Sequence, residues 1–268
     1  MRAYLAGAIT SSILSVVGAF AVHKRLSLLG DATSHISFAG IALGMILGLT
    51  DNLLAYLFAG LAIFGMVWFS RVFRLPGDVA LVIFLMMGAS LASIMITLTG
   101  LRVNFIGLLF GNILAVGWVD VLIAACLLAA TASLLSLRFR QLFLYVLNVD
   151  IARLKGVNVR LYEVIVSLLL ASSIVTGIKL VGVLMVTALL VLPTVAASAL
   201  SPSFRSSLIY AVIISSFSTL NGISISFVTN VPPGSATVVT LLAVTIVTLA
   251  HRRFTKRFIS AGTRPASL

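Results

Sequence analysis

Asp31 and His35 stand four positions apart in Leu29-Gly30-Asp31-Ala32-Thr33-Ser34-His35, and Asp31 is one of only six acidic residues in the chain. On a helix this spacing puts a carboxylate and an imidazole on one face, about 6 Å apart along the axis, with Ser34 and Phe38 on much the same side. Carboxylate and neutral imidazole suit zinc, manganese and iron, so the pair can hold a divalent transition metal. One helix supplies two ligands where metal sites usually take four or more. A two-fold dimer with this face at its axis supplies two carboxylates and two imidazoles. Asp31 reads equally as a helix cap, where a carboxylate meets free amides and the positive end of the dipole. From the pair alone both readings stand.

The elements that must position this pair are membrane helices. With 61% hydrophobic and 9% charged residues, the 268-residue chain carries more apolar surface than a soluble domain can bury. Spanning a bilayer takes about 20 apolar residues per helix, because backbone polar groups stay paired in hydrocarbon. The apolar runs predict an all-α polytopic membrane protein with about eight or nine transmembrane helices. The expected spans are 4–22, 32–49, 53–73, 79–98, 118–137, 161–177, 180–200, 206–228 and 235–250. The stretch 103–116 is weakly apolar and punctuated by Asn104, Gly107, Gly111 and Asn112, which fits a short or re-entrant helix, and it is left unassigned. The organisation is one transmembrane domain over 1–257, followed by a polar tail at 258–268 read as mobile.

A net charge of +12 points to nucleic acid in a soluble protein, but here Lys and Arg fall in short clusters between apolar runs and act as orientation signals. Nucleic-acid binding is excluded as a reading. The clusters at His23-Lys24-Arg25, Arg71 and Arg74, 138–160, Arg205 and 252–264 alternate with uncharged or weakly charged turns. Under the positive-inside rule nine spans place the N-terminus outside and the C-terminus inside, with Arg102 and Lys179 as exceptions outside. Asp31 and His35 then fall toward the cytoplasmic half of the second helix. The first apolar run lacks a clear small-residue cleavage site and reads as a retained helix. Cys126, the single cysteine, lies within an apolar run and reads as a packing residue. No glycine-rich phosphate loop with Gly-Lys-Ser or Gly-Lys-Thr occurs, so the chain is not an ATP-hydrolysing enzyme of the P-loop kind, and any such energy comes from a partner.

Two further stretches carry possible function. The polar run 138–160 contains Asn148-Val149-Asp150-Ile151-Ala152-Arg153-Leu154-Lys155-Gly156, long enough for a two-turn helix ending at Gly156. Such a helix can dock in a groove on a cytoplasmic partner; the plain alternative is a basic connector with a preference for anionic lipid. The run 176–198 mixes small residues, Gly182 among them, with Pro193 inside a smooth span, which fits a pathway-lining broken helix or ordinary close packing. Arg71, Arg74, Arg160 and Glu163 read as interfacial anchors.

Four stretches together resemble the permease subunit of zinc and manganese ABC importers, the ABC-3 family. They are Gly30-Asp31-Ala32-Thr33-Ser34-His35 with Gly40, the segment 150–156, the stretch 182–197 with Pro193, and Pro232-Pro233-Gly234-Ser235-Ala236-Thr237-Val238-Val239. The resemblance implies an importer permease fold in a prokaryotic plasma (inner) membrane. It also implies a homodimer of permeases, two cytoplasmic ATPases and an extracytoplasmic metal-binding protein, with membrane lipid around them. It makes Asp31 and His35 contacts for a transported zinc or manganese ion, with no permanently bound cofactor. It makes Asp150, Ala152, Arg153, Leu154 and Gly156, within a segment of about 148–157, the ATPase contact. Gly182 and Pro193 become pathway or packing positions. Family members often carry an acid where this chain has Asn230, which departs from the pattern.

Two rival readings are a permease for siderophore or cobalamin, which needs a wide pathway and no ligating pair, and a gradient-driven secondary metal carrier. The latter usually displays more intramembrane acids and an internal repeat. A membrane scaffold without transport would leave Asp31 and His35 dispensable. Which metal is carried is not written in N and O ligands shared by zinc, manganese and iron.

Overall fold

The computed structural model describes residues 1–24, 28–48, 53–99 and 116–262. These form helices α1 (Arg2–His23), α2 (Leu29–Ile46), α3 (Leu53–Val72), α4 (Gly77–Thr99), α5 (Trp118–Leu147), α6 (Val149–Leu154), α7 (Val159–Val181), α8 (Val183–Leu200), α9 (Phe204–Thr229) and α10 (Pro233–Gly262). Seven are long and apolar enough to cross a bilayer: α1, α3, α5, α7, α8, α9 and the Pro233–Arg253 part of α10. Helix α4 adds the shorter apolar stretch Val79–Met95. Helix α2 spans 18 residues and carries Asp31, Thr33, Ser34, His35 and Ser37 all in its first half. The expected all-α multipass architecture is observed, and the 103–115 segment lies outside the described residues.

Lipid offers no hydrophobic gain for hiding one helix against another, so close approach through small residues holds the bundle together. Helix α1 is buried along most of its length and runs through the middle of the bundle. A Cβ added at Gly18 would meet the Leu190 Cα of α8 at 2.6 Å, so the two backbones touch there. A Cβ added at Gly40 would lie 2.8 Å from the Leu54 carbonyl of α3, and in the same way Gly88 lets α4 meet α2 and Gly222 lets α9 meet the Thr237 backbone of α10. Between α1 and α9 the hydroxyls of Tyr4 and Ser224 (3.0 Å), Ser12 and Ser216 (3.1 Å) and Ser15 and Ser215 (3.1 Å) pair in antiparallel register.

The break in the 176–198 run comes at Gly182, not at Pro193. Gly182 has φ 86° and ψ 161°, a conformation in which a side chain is strained, and it serves at once as the end of α7 and the start of α8. Pro193 is buried within a helix that continues to Leu200. The expected 138–160 loop is also corrected: α5 continues to Leu147, with a kink at Arg138 (φ −130°, ψ 23°) where the apolar run meets the first arginines. Cys126 is exposed on α5 and packs in no core. Helix α10 continues through Gly262, because no breaker follows Ala250 until Gly262, so the tail read as mobile from 258 begins as helix.

The two ends of the bundle differ in chemistry. At the basic end, cytoplasmic under the positive-inside rule, Phe204 stacks edge-on to His23 (4.9 Å between centroids) and lies close to Phe143 (5.4 Å). At the other end Arg2 lies over the Trp118 ring at 5.0 Å, and Lys179 pairs with Asp120 at 2.7 Å. That pair accounts for Lys179 as a cation on the outer side: its charge is met locally.

Gly18→Ala forces the α1 and α8 backbones apart and costs about 1–3 kcal/mol, as overpacking does. Gly60→Ala on α3, where an added Cβ meets nothing within 4 Å, leaves stability unchanged or slightly higher. Thermal unfolding of the two purified variants in one detergent checks the contrast, and equal loss in both would refute the close-contact assignment.

Candidate metal site and coupling segment

Leu28 occupies the position before α2, no side chain caps that helix end, and Asp31 stands within its first turn. The cap reading therefore lacks the hydrogen bond that defines it. The Asp31 carboxylate lies near the His35 imidazole one turn on and near the Thr187 side chain of α8, whose hydroxyl donates to the Leu184 carbonyl at 3.1 Å. Gly30 makes this approach possible, since an added Cβ would lie 2.6 Å from Leu190 Cδ1 and 3.6 Å from Thr187 Cγ2. Asp31 and His35 are both half-buried. Ser34 and Phe38, expected on the same face, are turned inward, at 0% and 7% exposure.

Along α4 the pair sits at mid-length. The His35 backbone packs on Gly88, at 3.0 Å from a Cβ added there, and Gly88 is equidistant from Gly77 and Thr99 in α4. That is about 16 Å from either end of that helix. Helix α2 starts against the bundle: Leu29 is 1% exposed and lines a small cavity with Phe20, Lys24, Tyr145, Glu163 and Leu170, at the basic end.

Beside the pair, α8 presents Leu184, Thr187, Ala188, Val191, Val195 and Ser198 as a partly exposed stripe at helical spacing. Its opposite side, including Met185, Val186, Leu189, Pro193 and Ala197, is buried. Among the described residues no group of three or more His, Cys, Asp or Glu comes together. One chain thus brings two metal-ligand side chains to this face. Thr187 lay unremarked in the 176–198 run; hydroxyl chemistry in a span is common, and nothing local marks it as Asp31's neighbour.

At the basic end, α6 is a single compact device. The Asn148 side chain accepts from the amides of Asp150 (2.8 Å) and Ile151 (3.2 Å), capping the helix start. Its end closes with Val157 N–H on the Ala152 carbonyl and Gly156 N–H on the Arg153 carbonyl, both 3.0 Å, with Gly156 at φ 73°. This is the glycine-terminated double hydrogen bond of a Schellman turn. Of the residues proposed for contact, Ala152 is fully buried and faces the bundle. Asp150, Arg153 and Leu154 face out, Leu154 at 87% exposure, and Ile151 joins them.

Behind α6 lies a cluster not apparent from spacing. The Lys24 ammonium sits 3.4 Å above the Tyr145 ring, and Glu163 of α7 is ion-paired to Arg71 of α3. Arg71 and Glu163 were read as separate anchors; the structure makes them a pair. Lys24 and Tyr145 are 121 positions apart, so no local pattern joins them. Burial pulls the Lys24 ammonium from the ordinary 10.5 to about 8, opposed by the Glu163 carboxylate and reinforced by the Arg71 guanidinium. The unfolded chain holds that proton to higher pH than the folded chain, so this group's contribution to stability rises with pH between about 8 and 10.5. Wild-type Tm in detergent should therefore rise, relative to that of Lys24→Met, as pH goes from about 8 to about 9.5. Parallel Tm curves over that range would overturn the assignment.

The model of the ABC 3 transport family matches residues 1–252. The chain is 29% identical over 231 residues to the high-affinity zinc uptake system membrane protein ZnuB of Buchnera aphidicola subsp. Schizaphis graminum, covering 85% of this chain and 88% of that one. It is 27% identical over 259 residues to the manganese import system permease protein ScaB of Streptococcus gordonii, covering 96% and 93%. Its fold is similar to a chain in the structure of PsaBC from Streptococcus pneumoniae in complex with Fab, with a TM-score of 0.82, 28% identity, and coverage of 92% and 89%. A family match over nearly the whole length, on an all-helical multipass bundle, establishes that the chain belongs to the ABC 3 transport family.

Proposed function

We propose that this chain is the permease subunit of an ATP-driven importer for a divalent transition metal, zinc or manganese, in a prokaryotic plasma membrane. The observation that carries the reading is the half-buried Asp31 and His35 pair at the mid-depth of α4, beside the partly exposed stripe of α8. Ionisable side chains at that depth are expensive and are kept for function. The names of the zinc and manganese relatives support the substrate class.

A second copy facing the first across the α2 and α8 surface would bring two carboxylates and two imidazoles to one ion, the number a tetrahedral site takes. The ion would stay there transiently, since a transport site must release what it binds. An extracytoplasmic binding protein would deliver it. Two cytoplasmic ATPases would dock on the exposed Asp150, Ile151, Arg153 and Leu154 of α6, with Ala152 and Gly156 fixing its seat. Gly182 would allow α8 to turn against α7, and Pro193 would pack α8 against the bundle. Protons compete with metal for its ligands, so uptake should fall as the medium is acidified.

Radiometal uptake by cells expressing the complete transporter tests the site. Asp31→Ala and His35→Leu should each lower uptake by at least about tenfold at equal membrane expression, as loss of a metal ligand does. Undiminished uptake in both variants would remove the pair from the pathway. Leu154→Asp should lower uptake while leaving metal binding by the delivery protein unchanged, and wild-type uptake in that variant would remove α6 from the coupling role.

A further inference from the structure

A cavity of about 480 Å³ opens at the basic end between α5, α7 and the turn after α6. Its rim carries Arg138, Lys155 and Gln141, and its floor carries Leu134, Leu161 and Ile165. No acidic side chain lines it. The nearest acids in sequence are engaged elsewhere, Asp150 with Arg153 at 3.6 Å and Glu163 with Arg71. Neither Arg138 nor Lys155 has a carboxylate partner among the described residues. Two cations therefore face one opening without counter-charge.

Depth identifies what can fill it. From Trp118 to the kink at Arg138, α5 spans 20 residues, or about 30 Å, the thickness of the hydrocarbon layer. Arg138 then stands at headgroup level, and Leu134, one turn earlier, reaches the acyl region. Leu161 and Ile165 repeat the arrangement on α7, one turn apart and pointing along the same cavity. A site with cations at the headgroup plane and apolar side chains just inside it matches an amphiphile with a phosphate above and hydrocarbon below. A soluble anion uses only the rim.

We infer that this cavity binds an anionic phospholipid of the cytoplasmic leaflet, its phosphate between Arg138 and Lys155 and an acyl chain along Leu134, Leu161 and Ile165. Gln141 donates an amide hydrogen to the same headgroup. The inference goes beyond the transport reading, and its test measures lipid retention without metal or ATP.

The purified permease, in mild detergent, is incubated with palmitoyl-oleoyl phosphatidylglycerol or with the phosphatidylcholine of the same chains, and retained lipid is counted by native mass spectrometry. Wild type should retain the anionic lipid at least about fivefold over the neutral one. The double variant Arg138→Gln with Lys155→Gln should bring the two lipids to parity, and the charge-conserving Arg138→Lys with Lys155→Arg should restore the preference. Leu161→Ser should weaken retention of both lipids. Equal retention of the two lipids by wild type would overturn the proposal, as would an unchanged preference in the double variant. Displacement of phosphatidylglycerol by an equal concentration of inorganic phosphate would also overturn it, since it would make the site a simple anion site. If the double variant does not fold, the single variant Lys155→Gln must halve the preference, and a full wild-type preference in it overturns the assignment.

Discussion

Everything in this bundle depends on how closely helices approach where lipid gives no reason for them to associate. Contact between backbones, made possible by glycine, supplies the missing attraction through dispersion and packing. Gly18 sets α1 against α8, Gly40 sets α2 against α3, and Gly88 sets α4 against α2. Two helices, α3 and α4, are thus held against α2 by one kind of contact. The polar half of α2 is held within this packing: Asp31 and His35 stay half-buried, with Thr187 of α8 beside Asp31.

The same packing makes the two ends different. Among the described residues of the outer end, Lys179 pairs with Asp120 and Arg2 lies over the Trp118 ring. The basic end concentrates them, and there Lys24 is held against Tyr145 beside the Arg71 and Glu163 pair. Lys24 ends the segment that leads into α2, and Tyr145 lies in the last turn before α6. One side-chain contact thus brings together the chain that enters the metal-ligand helix and the chain that enters the surface helix, although 121 residues separate them.

Much of the fold was legible in the sequence because membrane spans announce themselves by length and composition. The short surface helix was legible too, because Asn148 and Gly156 carry the cap chemistry that starts and stops it. Legibility failed where the deciding contact was not local. The strongest breaker in the 176–198 run is Pro193, yet the helix continues through it and turns at Gly182, whose positive φ is imposed by the α7 and α8 corner. Arg138 marked the end of an apolar run but not the end of a helix, since arginine is a good helix former and the backbone continues after a kink.

For the candidate site the division is sharp. The sequence by itself determined that a carboxylate and an imidazole share a helix face, since helical periodicity follows from residue spacing alone. It also determined the family resemblance, through motifs spread along nearly the whole chain. Only the tertiary structure decided what surrounds the pair, because that is set by where α2 enters the bundle relative to α4 and α8 and not by spacing along the chain. It also decided that Ser34 and Phe38 turn inward, that Thr187 meets Asp31, and that Lys24 meets Tyr145. These are contacts between distant segments, and they exist only once close helix packing has chosen which faces meet.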